Sequence, residues 1–594
     1  MPVLGITWVT EAERLSRCPA CHVDGRNRHL LDTTLSPDNH ATNTQSIALL
    51  QCGNCGARFA DPVVAVDYQD ADQEGMRYYV EQGAGIDVML EVLSLLDQRP
   101  VKRYLEVGCS FGFAMEYARR ALGWEVLGFD PGFVAAAGKR MLGLPIESRA
   151  LEKGTVPQGA FDVVFCSEVI EHIPEPDGFI EILRYALSDD GVLLMTTPDG
   201  DAVTPYQPSE LLMPVLSPGQ HVILYNVTAI EALLRRHGFA HVRTRKNATQ
   251  LQIVAAMTPL GEPAAYFTRA RYREFLQDEF DAHRDDRYLT ACIGYRLLYE
   301  RVGFGAYADA RATYQRLRDA YLADFGYDIE ATNAVPIPAP AGLSLSAFGE
   351  RLPFNLCGVW YCRGVIEFLD NGDPAAAADY FAAAMWVGGA LRAILNAMGT
   401  DDVSLAIFCR EAEIARLAAL ARCDPQEGLQ TLRALQQRTL QSPSPEASLL
   451  RARAERQFFT DLVNLGHYKL AEELAADCGP LVDEPIAPGA VPTAMAYGIF
   501  LLNHRRDAPA ARRILAQTRD LVLAEGVCRP GGVLEAIEIA LLAAAALVGR
   551  AEARALIEDI ALNRGGLAAD AFAAHLQQVR RSAAQLFADL GYEA

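Results

Sequence analysis

Cys18-Pro-Ala-Cys21 and Cys52-Gly-Asn-Cys55 are two Cys-x-x-Cys pairs separated by 30 residues. A two-residue gap lets one tight turn aim two thiolates at the same ion, and two such turns complete a tetrahedron. Gly53 and Gly56 supply the backbone freedom that the second turn needs. Four thiolates close the coordination shell, so the spacing predicts a structural Zn2+ that folds the segment and leaves no open position for chemistry. A thioredoxin-type redox motif would place one pair beside a strand–helix unit, whereas here two pairs share a short polar segment. His22, beside Cys21, is a competing ligand that four thiolates make unnecessary.

A second group of residues suits a nucleotide-like ligand. Arg103-Tyr-Leu-Glu106-Val-Gly108-Cys-Ser110-Phe-Gly112-Phe reads as a strand, a glycine-rich turn and a helix over Ala114–Leu122. Glycines there let the backbone approach a ligand at the carboxyl edge of a parallel sheet. Glu125-Val-Leu-Gly-Phe-Asp130 is a second strand, ending 18 residues past Gly112 in an acid able to accept both hydroxyl protons of a ribose. A third strand is expected around Pro145–Ser148. Phe161-Asp-Val-Val-Phe-Cys-Ser167-Glu168 follows, a strand with a polar end, and then Val169-Ile-Glu171-His172-Ile-Pro174. From about Arg99 to Met257 such apolar runs alternate with helical patterns, as in a parallel sheet with crossover helices.

These residues resemble the class I S-adenosylmethionine-dependent methyltransferases. The matching motifs are the E-x-G-x-S-x-G loop, the G-F-D strand end, F-D-V-V-F followed by E-V-I-E-H-I, and L-S-D-D-G-V-L-L-M-T-T-P. The resemblance covers roughly residues 70 to 258. With the cysteine pairs included, the first ~260 residues resemble the subgroup with an N-terminal zinc ribbon, which contains sugar C-methyltransferases. The resemblance implies a doubly wound, Rossmann-like α/β domain that binds S-adenosylmethionine. Glu106, Gly108, Ser110 and Gly112 would surround its methionine part, Asp130 would hold the ribose, and Leu151 would lie near the adenine. Ser167 and Glu168 would close the other side. Ser110 departs from the pattern, since many members carry glycine there. Without these motifs, Glu106 and Asp130 would read as solvated strand-end acids. Cys109 and Cys166 read as small buried packing residues rather than nucleophiles.

The expected reaction moves a methyl group from an activated donor to an oxygen, nitrogen or carbon nucleophile, so the protein has to orient the substrates and remove a proton. His221 is the first candidate base. It lies in Ser217-Pro-Gly-Gln-His221-Val-Ile-Leu-Tyr225, between the strand Val192–Thr196 and the helix Thr228–His237, at the sheet's carboxyl edge. Imidazole titrates around pH ~6.5 and accepts a proton when neutral. The resembled sugar C-methyltransferases carry a histidine in a similar Y-x-E-H segment with this role; here Gln220 replaces the glutamate. The alternative for His221 is a histidine that only hydrogen-bonds its loop. His172 is the second candidate base. The subgroup points to a sugar or glycan acceptor, including a nucleotide-linked deoxysugar in surface polysaccharide or secondary-metabolite synthesis.

Rival readings use the same residues. Gly108-Cys-Ser110-Phe-Gly112 satisfies the G-x-S-x-G nucleophile elbow, with Asp199 and His221 following in hydrolase order. Such a hydrolase has no use for an acid ending the next strand, and it would carry strands where this chain has its cysteine pairs. A nicotinamide fingerprint fails because Phe113 stands where the third glycine is required. A non-catalytic scaffold is the third option, and the intact glycine loop with Asp130 argues against decay.

After Pro259 the strand runs stop, and 260–594 reads as alanine- and leucine-rich helices. Gly305-x-Tyr307-x-x-Ala310-x-x-x-Tyr314 sets a weak repeat. Gly372–Ala377 with Phe381 and Ala384, and Gly466-x-Tyr468-x-x-Ala471-x-x-x-Ala475, follow it. Looser copies follow Asp424-Pro425, Asp507 and Gly549. The pattern resembles the second half of a tetratricopeptide repeat; an ordinary all-α domain is the plainer alternative. Three regions result: a zinc ribbon (1–66), a methyltransferase domain (67–259) and an all-α helix-hairpin domain (260–594), with proline-rich 333–344 as an internal linker. The last offers a surface for a partner enzyme or a growing polymer.

Composition sets the outer limits. Of 594 residues, 51% are hydrophobic and 22% charged, which excludes a mainly disordered chain. A net charge of -21 excludes general polyanion binding, so no nucleic acid partner is expected. Only five basic residues are lysine (Lys102, Lys139, Lys153, Lys246, Lys469), a bias that fits a GC-rich bacterial genome. Glu11 and Glu13 interrupt any secretory leader pattern. The longest apolar stretch, Ile539–Gly549, is too short for a membrane span. Thirteen cysteines, four of them clustered, suit a reduced cytoplasmic setting.

Overall fold

Two sheets form where short apolar runs alternate with turns. The computed structural model describes residues 6–34, 46–63, 73–82, 86–337, 339, 342–398, 400–477, 482, 486–524, 532–563 and 569–590. The first sheet is antiparallel, in the order β1 (Ile6–Arg17), β2 (Asp24–Thr34), β3 (Ser46–Gln51), β4 (Arg58–Asp61) and β10 (Ile223–Leu224). One cysteine pair sits in the turn after β1 and the other in the turn after β3. The last strand comes from far along the chain: Ile223 pairs with Phe59 and Leu224 with Arg58.

The second sheet has seven strands: β5 (Arg103–Val107), β6 (Glu125–Phe129), β7 (Ile146–Glu147), β8 (Phe161–Ser167), β9 (Leu187–Pro198), β11 (His241–Asn247) and β12 (Gln250–Ala256). Their spatial order is β11-β12-β9-β8-β5-β6-β7. Strands β5 to β9 are parallel, whereas β12 runs antiparallel to β9 and β11 antiparallel to β12. The expected strands are present. The third is only two residues long, and β9 begins earlier, at Leu187. β11 was not visible as an apolar run, because His-Val-Arg-Thr-Arg-Lys-Asn is an edge strand whose charged side chains discourage further pairing.

Helices α1 (Gln73–Gln82), α2 (Ile86–Leu90), α3 (Phe113–Ala121), α4 (Phe133–Leu142), α5 (Pro176–Ala186) and α7 (Val227–Arg236) surround this sheet, while α6 (Ser209–Leu216) packs on the first sheet. Its central strands are buried on both faces, as parallel strands with double cover must be. Tyr104, Phe165, Leu194 and Val254 share one core with α3, α4 and the helices α8 (Arg269–Ala282) and α9 (Arg287–Phe304). Leu105, Val164, Met195 and Ile253 face the other way, toward α5, α7 and the cysteine segment. Cys18, Cys52, Cys55 and Phe59 therefore belong to the second core rather than to an isolated ribbon.

Fifteen helices, from α8 to α22 (Ala569–Asp589), follow among the described residues. They start where the sequence marks a turn: Tyr307 after Gly305, Pro425 after Asp424, Tyr468 after Gly466 and Arg550 after Gly549. Within the stretch 333–344, residues 338, 340 and 341 lie outside the described residues. The chain divides into two compact units, residues 1–371 with 379–412, and residues 372–378 with 413–594. Among the described residues no helix is long and apolar enough to cross a membrane.

Candidate functional site

Strands β5 and β8 are neighbours, yet the chain leaves β5 toward β6 and β7 and leaves β8 toward β9. A crevice opens at the carboxyl ends where the order reverses, the usual binding position of such sheets. It holds a cavity of about 600 Å³. Glu106, Gly108, Ser110, Gly112, Asp130, Leu151, Ser167 and Glu168 all line it, and so does His172.

Backbone geometry explains the glycine spacing. Gly108, Ser110 and Gly112 take φ of 76°, 47° and 85°, so three of five residues are left-handed. A Cβ on Gly108 would come within 2.3 Å of the Val169 side chain. Ser110 tolerates a conformation that costs a non-glycine residue roughly 1–2 kcal/mol. Ser110 lines the cavity together with Tyr79 of α1. Asp130 fixes the turn from the next strand: its Oδ2 accepts the Ser110 N–H at 2.7 Å and its Oδ1 accepts the Gly132 N–H at 2.7 Å.

The cavity is rich in acids held away from water. Burial raises the Glu106 carboxyl to about 8, while the Tyr104 hydroxyl donates to its Oε2 at 2.8 Å and the Asp130 charge adds to the rise. Burial also raises Asp130 and Glu168. Glu168 has φ 54° and accepts from the Thr196 hydroxyl at 2.8 Å and from Gln250 Nε2 at 2.9 Å. Three acids biased toward their neutral forms become better satisfied when a cationic ligand enters. The donor and acceptor set therefore fits S-adenosylmethionine, which presents an ammonium, a sulfonium and a vicinal diol.

A histidine–glutamate cluster adjoins the cavity. His172 Nδ1 lies 3.1 Å from the Gln220 carbonyl and His221 Nδ1 lies 2.7 Å from the Val215 carbonyl. Both rings thus donate through Nδ1, leaving Nε2 as the acceptor. The rings meet edge to face at 4.7 Å. Between them stands Glu171, fully buried, whose Oε2 accepts from the Thr197 hydroxyl at 2.9 Å. Its Oε1 has no hydrogen-bond partner and lies 3.7 Å from His172 Nε2 and 4.0 Å from His221 Nε2. These three ligand atoms lie within 4.8 Å of one another, too far apart for direct hydrogen bonds but close enough to hold one cation. Burial and the Glu168 charge push the Glu171 acid well up, whereas burial lowers both histidines, His221 to about 3. Burial thus biases both imidazoles toward the neutral base and the carboxyl toward its protonated form. Glu171 is the member that sequence reasoning missed; adjacency to His172 was its only signal.

Of the two candidate bases, His172 faces the cavity and His221 stands behind it. The segment carrying His221 is pinned from both sides, since the Val222 N–H donates to the Glu171 carbonyl at 2.8 Å and the Ala60 N–H donates to the Val222 carbonyl at 3.0 Å. The hydrolase triad does not assemble. His221 is engaged with Val215, and Asp199 is paired with Lys246 at 2.8 Å. Cys109 and Cys166 are buried with their thiols pushed up, the behaviour of packing residues.

The four cysteines of the two pairs converge. Cys18 Sγ lies 3.8 Å from Cys55 Sγ, and Cys21 Sγ lies 3.6 Å from Cys52 Sγ. A tetrahedron with Zn–S bonds of ~2.3 Å has edges of roughly 3.8 Å, so the spacing fits the ion. Thiols this close cannot all ionise alone. Cys18 is lowered to about 5 through its hydrogen bond with Cys55, whose own thiol is pushed up. His22 turns away to Asp177 at 2.5 Å and is no ligand here.

Residues 79–244 match the family described as "Methyltransferase domain". Over 107 residues the chain is 36% identical to a ubiquinone biosynthesis O-methyltransferase of Actinobacillus pleuropneumoniae serotype 5b (strain L20), covering 16% of this chain and 45% of the relative. A protein of the same name from Rhodopseudomonas palustris (strain HaA2) is 28% identical over 153 residues, covering 24% of this chain and 60% of the relative. The chain thus spans about half the length of the curated relatives it matches. An S-adenosylmethionine-dependent methyltransferase structure from Mesorhizobium loti shows 19% identity and a TM-score of 0.25, covering 29% of this chain and 98% of that one.

Proposed function

We propose that the chain is an S-adenosylmethionine-dependent methyltransferase acting on a small-molecule or glycan acceptor. The observation that carries this reading is the convergence of the glycine loop, Asp130 and the buried acids on one cavity at the sheet's switch point. When bound, S-adenosylmethionine supplies an activated methyl group. Glu106 and the Gly108–Gly112 loop hold its charged end, Asp130 takes the ribose hydroxyls, Leu151 borders the adenine, and Ser167 with Glu168 closes the opposite wall. His172 removes the acceptor's proton at Nε2. Glu171 and His221 stand behind it, and the His221 ring packs edge to face on the His172 ring at 4.7 Å, which holds its orientation.

The names of the curated relatives favour an acceptor oxygen, and the resemblance of the N-terminal half favours a sugar hydroxyl or carbon. Four cysteines, Cys18, Cys21, Cys52 and Cys55, hold a structural Zn2+ in this reading, and reduced thiols of this kind suit the cytoplasm. Its chemistry there is to tie the turns after β1 and β3 together, which seats β4 against the His221 segment. The domains run 1–66, 67–259 and 260–594, and the tetratricopeptide-like helices of the last take a protein partner.

Mass spectrometry of candidate phenols, nucleotide sugars and glycans after incubation with the protein and donor tests the reading: a product heavier by one methyl group supports it. In single-turnover transfer on that acceptor, His172→Asn should slow the reaction roughly 10²–10⁴-fold at unchanged cofactor affinity. His221→Asn should slow it less. Equal or reversed losses would restore His221 as the base.

A further inference from the structure

Helix α1 carries Tyr79 into the cavity wall, and almost everything that holds α1 comes from more than 200 residues away. Arg77 Nη1 donates to the Gly349 carbonyl at 2.8 Å. Glu81, buried, accepts the Phe354 N–H at 2.8 Å, and Gln82 Nε2 donates to the Phe354 carbonyl at 2.8 Å. Asn355 Nδ2 donates to the Glu81 carbonyl at 3.2 Å. The Tyr78 hydroxyl donates to the buried Asp402 carboxylate, and its ring meets Phe354 edge-on at 5.4 Å. Arg296 of α9 donates to the Val80 carbonyl at 3.0 Å while its guanidinium lies over Phe113, a cavity residue, at 4.6 Å. All of these residues belong to one compact unit.

We infer that the segment 349–355 and Asp402 complete the cofactor site, with Glu81 and Asp402 as positioning residues that hold Tyr79 over the glycine loop. The inference rests on the cofactor reading of the cavity. A helix of ten residues has little stability of its own, so its placement is set by its partners. Two of the bonds reach Tyr79 by adjacency: Tyr78 fixes one side of the helix and Glu81 the next turn. Tyr79 lines the cavity together with Ser110, whose N–H is held by Asp130. A chain of contacts thereby links helices beyond residue 345 to the loop that contacts the donor. The matched methyltransferase segment ends at 244, so this inference makes residues outside it complete the cofactor site.

The test uses the full-length chain and calorimetric titration with S-adenosylmethionine, beside thermal melting. Tyr78→Phe and Glu81→Ala should each raise the dissociation constant about tenfold, and Glu81→Gln, which keeps an acceptor for Phe354, should recover to within about threefold. In a Tyr79→Ala background the added effect of Tyr78→Phe should shrink to under twofold, because Tyr78 acts through the Tyr79 side chain. A lowered melting temperature with unchanged affinity, or effects that simply multiply in the double variant, would overturn the positioning role. Should Glu81→Ala fail to fold, Tyr78→Phe and the double variant decide the matter. A wild-type chain that binds no S-adenosylmethionine overturns the cofactor reading itself, whereas wild-type binding with unaffected variants overturns the positioning role alone.

Discussion

The raised carboxyl of Glu106 makes cofactor binding depend on pH in a calculable way. With its value at about 8 in the empty site, about a tenth of the molecules carry an ionised Glu106 at pH 7. If the ionised acid is the form that meets the cofactor's ammonium, binding at pH 7 includes an ionisation cost of about 1.4 kcal/mol. Apparent affinity for S-adenosylmethionine should therefore rise about tenfold between pH 7 and pH 9 and level off above. Close to one proton should leave the protein per cofactor bound at pH 7. Stability of the empty protein runs the other way. A carboxyl raised in the folded state favours folding fully below its unfolded value of ~4.5, and that contribution is lost as pH climbs toward 8. Titration calorimetry at pH 7 in two buffers of different ionisation heat counts the protons directly. Glu106→Gln, which keeps the acceptor for Tyr104 and removes the titration, should flatten the profile. An affinity independent of pH in wild type, or no proton released, would refute the role assigned to Glu106.

Other consequences follow from single positions. Protein purified without chelators should hold about one zinc per chain, and Cys18→Ser or Cys52→Ser should abolish it; elemental analysis showing none in wild type would remove the metal. A Cβ on Gly138 of α4 would lie 2.0 Å from the Phe111 carbonyl oxygen. Backbone cannot yield as a side chain does, so Gly138→Ala should cost about 3 kcal/mol or more in chemical denaturation. It should also weaken cofactor binding at least tenfold, because Phe111 belongs to the glycine loop. Gly178→Ala on α5, where nothing lies within 4 Å, should instead stabilise by roughly 0.5–1 kcal/mol.

Local pattern carried much of this account and long-range pairing did not. The strands Arg103–Val107, Glu125–Phe129 and Gln250–Ala256 were readable because apolar runs between glycines have few other ways to fold. The residues expected to bind the cofactor converge because they lie at or just past the carboxyl ends of parallel strands, where topology alone brings neighbours together. Polar β11 was illegible because an edge strand needs no apolar alternation. Glu171 was missed because its importance comes from His221, fifty positions later, which the pairing of β10 with β4 brings to it. The order of the two histidines was likewise invisible, since position at the sheet edge says nothing about which ring stands in front. The partners of α1 lie beyond residue 345, where nothing in the helical text announces contact with a glycine loop.

The central claim is that the cavity beside the glycine loop binds S-adenosylmethionine through Asp130. Calorimetric titration of the full-length wild-type chain and of Asp130→Ala with the cofactor tests it most directly. The account predicts one site per wild-type chain and at least a hundredfold weaker binding in the variant, which loses the anchor of the Ser110 and Gly132 N–H groups together with the ribose contacts. A wild-type chain that gives no binding heat, or an Asp130→Ala variant that binds within threefold of wild type, would contradict it.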